Sequence, residues 1–191
     1  MSPILGIYAS QISGHLWEPA GAYDALWSTT LAAATSTITI SNIPQTYKHL
    51  QIRGIARTSR SDSNQDGIKF RYNSDTGNNY ATHYLLGNGS TTGSSGGSSV
   101  SYNWINGITS ATTSANCFGA FSIDILDYAN TNKNKTFRAL SGREDNANTA
   151  GAMWFESGLW NSTSAISSIT IFPNTGPNIS QYSSFALYGI N

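Results

Sequence analysis

The chain predicts an all-β fold, a single antiparallel β-sandwich of jelly-roll-like form, and three observations carry that expectation. Apolar residues alternate with polar ones over short runs, the two-residue period of half-buried strands, and helical spacing is almost absent. Gly, Asn, Asp and Pro cut these runs at intervals near those of sandwich domains. Charge gives way to small polar groups: only 10% of the 191 residues are Asp, Glu, Lys or Arg, against roughly 25% in an ordinary soluble domain. Aromatic residues make up 12% of the chain, enough to build a core.

The strands follow in order. The first is expected over 25–31 and the second over 37–41, stopped by Asn42, Ile43 and Pro44. Over 49–57, Leu50, Ile52, Gly54 and Ala56 share one face, and Gln51, Arg53, Ile55 and Arg57 the other. Ile68, Phe70 and Tyr72 alternate with Lys69, Arg71 and Asn73 in the next strand, and 80–86 follows. Residues 87–99 are all Gly, Ser, Thr or Asn, so this stretch is expected to be a long mobile loop with nothing to anchor a core. Strands resume at 100–105 and at 118–127, where Phe121, Ile123 and Ile125 point one way and Ala120, Ser122 and Asp124 the other. The ranges 136–141, 153–159, 166–172 and 184–190 complete the set. Residues 24–191 are expected to form the sandwich and 1–23 a docking segment in which Pro3, Ile4, Leu5, Ile7 and Tyr8 seek burial against a neighbour.

Composition also excludes. Ten basic residues are matched by ten acidic ones, so no surplus of Lys and Arg exists to neutralise phosphates and no nucleic-acid partner is expected. The first residues carry no basic stretch and too short an apolar run for an export signal or membrane span, so the protein is expected to be made in the cytoplasm and to have no membrane partner. Cys117 is alone, which rules out an internal disulfide.

The sharpest local motif is Asp62, Ser63, Asn64, Gln65, Asp66, Gly67. It matches the opening of a calcium loop, with Asp62, Asn64 and Asp66 as oxygen ligands and Gly at the sixth place. The twelfth place holds Asn73 rather than Glu and a strand follows, so an EF-hand is excluded. Two readings stay open, a looser Ca2+ site and a plain hairpin loop with Asp66 and Gly67 making the turn. For catalysis, no Gly-x-Ser-x-Gly elbow frames a serine, and His15, His49 and His83 are scattered. Asp124, Asp127 and Glu156 are the carboxylates a glycan-cleaving site would use, and hydrogen bonding to neighbouring strands is the competing role. Tyr102, Trp104, Trp154 and Trp160 are candidate platforms for stacking on a sugar, although aromatics of alternating strands more often face the core.

The runs 3–7, 47–57, 71–80 leading to Tyr84 and 87–89, then 124–133, 157–160 and 182–190, together resemble small virion structural proteins of tailed bacteriophages. The resemblance spans nearly the whole chain. It implies a β-rich particle-surface protein, a decoration, fibre or minor tail component, with no catalytic residues to carry over. The expected function is a non-enzymatic capsid decoration protein on the virion surface, without a cofactor. Its expected partners are itself, as a homotrimer covering exposed sheet edges, and the major capsid or tail proteins. The alternative is a tail or head fibre component that binds a host surface glycan through 87–99 and 103–116.

Overall fold

The computed structural model describes residues 22–146 and 151–191, and all the regular elements among them are strands. In chain order these are β1 (Tyr23–Thr30), β2 (Ile38–Ile40), β3 (His49–Ala56), β4 (Gln65–Tyr72), β5 (Tyr80–Gly87) and β6 (Thr92–Val100). Then come β7 (Asn103–Thr109), β8 (Gly119–Leu126), β9 (Lys135–Arg143), β10 (Ala152–Trp160), β11 (Ile169–Pro173) and β12 (Ser184–Ile190). They form two antiparallel sheets, an eight-stranded one in the order β1-β12-β3-β8-β9-β10-β5-β6 and a four-stranded one in the order β2-β11-β4-β7. The protein is an all-β sandwich.

The pairing shows how the chain winds. β1 pairs with β12, β2 with β11, β3 with β8 and β4 with β7. Successive members of this series fall in opposite sheets. A long hairpin folded over on itself gives this arrangement. Two further hairpins, β5-β6 and β9-β10, both widen the larger sheet.

The core lies between the sheets and is filled by the alternation read from the sequence. Leu50 and Ile52 of β3, Phe121, Ile123 and Ile125 of β8, Phe137 and Ala139 of β9, and Phe185 and Leu187 of β12 come from the large sheet. Ile68, Phe70 and Tyr72 of β4, Ile105 and Ile108 of β7, and Ile169 and Ile171 of β11 meet them from the small one. At one end Tyr72, Tyr80 and Trp160 form an aromatic knot, with Tyr80 and Trp160 stacked at 6.2 Å between ring centroids. Each large apolar side chain removed from water here contributes about 1.5–3 kcal/mol.

Three expectations are affected. The 87–99 stretch is not a mobile loop: residues 88–91 turn and β6 pairs with β5 along its length, from Gly87↔Thr92 to Tyr80↔Val100. Strand pairing needs only backbone N–H and C=O groups, and small side chains are what this edge can hold. A Cβ on Gly96 would run into the His83 ring, and one on Gly97 would come within 3.2 Å of the Trp104 ring. Half of the 103–116 range is likewise strand, since β7 takes Asn103–Thr109 and pairs with β4. Docking through Pro3, Ile4, Leu5, Ile7 and Tyr8 lies outside the described residues, as does most of the 1–23 segment.

Candidate functional site

The Asp62–Gly67 motif is built into the fold as a structural joint. Gln65, Asp66 and Gly67 already belong to β4. The buried Asp66 carboxylate accepts the Thr58 hydroxyl at 2.8 Å and the backbone N–H groups of Gly67 at 2.9 Å, Thr175 at 3.1 Å and Gly176 at 2.9 Å. It thus ties β4 to the turn after β11. Asp62 instead pairs with Arg60 at 2.6 Å on the surface, and that guanidinium holds its carboxyl below the usual range. The Asn64 side-chain oxygen accepts from Arg143 at 3.4 Å. The three candidate calcium ligands therefore serve three different partners. Among the described residues no three His, Cys, Asp or Glu side chains gather where a metal ion could be held.

The carboxylates named for glycan cleavage are also apart in role. Asp124 accepts from Gln51 Nε2 at 2.5 Å across the β3-β8 ladder. Asp127 follows β8 in a left-handed conformation (φ 49°) and pairs with Lys133 at 2.7 Å. Glu156 points into the sandwich from β10, where its carboxylate accepts the Asn106 N–H at 2.6 Å and the Ser141 hydroxyl at 3.2 Å. Burial pushes its pKa up to about 7, although those hydrogen bonds oppose the shift.

Of the four candidate platforms, Trp154 and Trp160 are each only 3% exposed and face inward. The Trp160 indole N–H donates to Asp75 at 2.7 Å, so its polar edge is engaged as well. A sugar would have to enter the core to stack on either. Tyr102 and Trp104 do meet, edge to face at 6.2 Å, on the outer side of the small sheet, and Phe172 of β11 joins them. Their neighbours are cations: Lys69 Nζ lies 4.0 Å from the Tyr102 centroid, and the Arg71 guanidinium carbon 4.9 Å from that of Phe172. One face of Tyr102 and one of Phe172 are thereby covered from within the molecule.

No family model, curated protein or solved structure matches the chain.

The feature that sequence reasoning missed is the outer face of the eight-stranded sheet. β10 there presents Met153 and Phe155, β9 presents Leu140, β5 presents Leu85 and β3 presents Ile55, all of them among the exposed large apolar residues. Register makes them neighbours. Leu85, Phe155, Leu140 and Ser122 stand in one cross-strand row, and Gly87, Met153, Gly142, Ala120 and Ile55 in the next. A third row, His83, Ser157, Arg138, Asp124 and Gln51, is polar and borders the first. The signal was present at 139–140 and 153–155, where adjacent residues are both apolar. A strand with one wet face does not need that.

Proposed function

We propose that the chain is a structural, non-enzymatic subunit of a tailed-phage particle, a surface decoration protein that works through its contacts. The observation that carries this reading is the apolar outer face of the large sheet. Large apolar side chains exposed together on rigid strands mark an interaction surface. Supporting it, the inward-facing polar residues Asp66, Lys135 and Glu156 are engaged in holding strands and turns together. A low proportion of charged residues with no net charge suits a part packed among copies and neighbours. The resemblance to virion structural proteins points to the same class. The fibre alternative, which relied on loops at 87–99 and 103–116, keeps only the 88–91 turn and the 110–118 connection as irregular surface.

Quantitative gel analysis of purified particles, with an antibody to this chain, tests the proposal. Hundreds of copies per particle are expected of a decoration protein. A few to some tens would support the fibre or tail reading, and particles lacking the chain would overturn both.

A further inference from the structure

We propose that the outer face of the eight-stranded sheet binds the same face of a second copy of this chain, so that two sandwiches stack sheet against sheet. The proposal rests on the reading of this face as an assembly surface and names its occupant.

Area comes first. Leu85 is 61% exposed, Met153 58%, Phe155 52%, Leu140 51% and Ile55 45%. Together they offer on the order of 500 Å² of apolar surface, near the upper end of the largest patch on an ordinary monomer. Adding the bordering polar row brings the face close to the roughly 800 Å² per partner of a standard stable interface. A peptide laid along one strand would cross both rows and cover only about one residue of each, leaving the rest wet. A second sheet covers both, because sheets pack face to face at about 10 Å with side chains interdigitating.

Relief comes second. The apolar knobs stand beside hollows on the same face. Next to Leu140 and Met153, the small residues Ala120 and Gly142 leave a groove of about 600 Å³ floored by Phe121 and closed by Phe118. A second hollow lies between Arg53 and Ile55 on one side and Ser28 and Ala186 on the other. A surface that carries both knobs and sockets can be self-complementary under a two-fold axis, the commonest closed symmetry.

Charge comes third. The polar row carries Arg138 beside Asp124, and the exposed Arg53, opposite Ser122 at the end of the first row, lies over the Tyr23 and Tyr188 rings, so the charges on the face are few and of both signs. A two-fold that sets Arg138 or Arg53 of one copy against Asp124 of the other keeps like charges apart. A partner of strongly acidic or basic character would find nothing complementary here.

Light scattering on the full chain after size-exclusion chromatography, at tens of micromolar, is the test. The expected mass is twice the 20.4 kDa of one chain, falling to the single-chain value in Leu140→Glu/Phe155→Glu. Both positions point outward, so the variant should keep its β circular dichroism and a cooperative urea transition, with a midpoint lowered by loss of the partner. Should it fail to fold, Met153→Lys gives the same readout from one exposed position. A single-chain mass for the unaltered protein would overturn the proposal, as would a mass of three chains, or an assembly that both variants leave intact. A single-chain mass that doubles only after residues 1–21 are removed would show the chain's own leading segment as occupant, also against it. Pairing in solution by a chain missing from particles would leave this inference standing while the particle assignment fell.

Discussion

Glu156 is a residue whose acid–base behaviour the sandwich alters strongly. Its side chain lies fully buried between β10, β9 and β7, with Asn106 and Ser141 donating to it. In the unfolded chain it releases its proton near the ordinary 4.5, whereas burial holds the folded value at about 7. Between these two values the folded state keeps a proton that the unfolded state has lost, so stability falls as pH rises through that window. At about 1.4 kcal/mol per pKa unit the loss amounts to about 3 kcal/mol at most. Glu156→Gln keeps an oxygen for the Asn106 N–H and cannot ionise. Urea midpoints at pH 5 and pH 8 should therefore differ clearly for the unaltered protein and coincide for the variant, with the variant more stable at pH 8. Equal midpoints for the unaltered chain would contradict this account. Lys135 solves the opposite problem. Its buried ammonium donates to the carbonyls of Asn130, Lys133 and Thr163 at 2.5, 2.7 and 3.0 Å, fastening the β8–β9 turn to the segment after β10, and burial lowers its pKa.

At the scale of elements, β6 is the instructive case, because a run of Gly and Ser makes a regular edge strand. Its glycines are not equivalent. A Cβ on Gly96 would meet the His83 ring and come within 2.7 Å of the Thr82 carbonyl oxygen, whereas one on Gly93 would rest 3.4 Å from Leu86 Cγ, close to ordinary contact. Gly96→Ala should therefore cost about 1–3 kcal/mol through overpacking, with faster hydrogen exchange confined to β5 and β6. Gly93→Ala should be near neutral, or gain up to about 1 kcal/mol by restricting the unfolded chain. Equal effects at the two positions would mean that β6 does not pair in this register. The same strand shows why parts of the fold were legible and others not. β4 and β8 announce themselves because apolar and polar residues take turns, and burial follows that pattern directly over Ile68–Tyr72 and along β8. β6 has no apolar face, so side-chain periodicity is silent and only backbone pairing reveals it. Asp66 was misleading for a different reason: a carboxylate amid turn-forming residues has the same local sequence whether it binds a cation or four N–H and O–H donors, and the donors at 175 and 176 are distant in the chain. The outer apolar rows escaped because they exist only once register sets Leu85, Phe155 and Leu140 side by side.

At the scale of the whole molecule, the two sheets are closed by β11 and β12. β12 lies between β1 and β3, bonded to both, and supplies Phe185 and Leu187 to the core. β11 lies between β2 and β4 in the other sheet. The pair Tyr23↔Ile190 joins opposite ends of the described chain. Such non-local pairing must overcome its loop-closure entropy before packing compensates, which places the fold among the slow ones, in the range of roughly milliseconds to seconds or beyond. It also makes the large sheet depend on residues 184–190. Without them β1 loses its strand partner among the described residues, β3 acquires a bare edge, and the inner faces of Ile52 and Phe121 lose Leu187 and Phe185 as neighbours. A chain ending at Ser183 should therefore show no cooperative urea transition and should be cut throughout by a nonspecific protease, whereas the full chain resists. A sigmoidal transition retained in the truncated chain, with a denaturant slope like that of the full chain, would mean that the β3-β8-β9-β10 meander and the small sheet fold without β12. The sandwich would then be closed by its middle strands rather than by its last one.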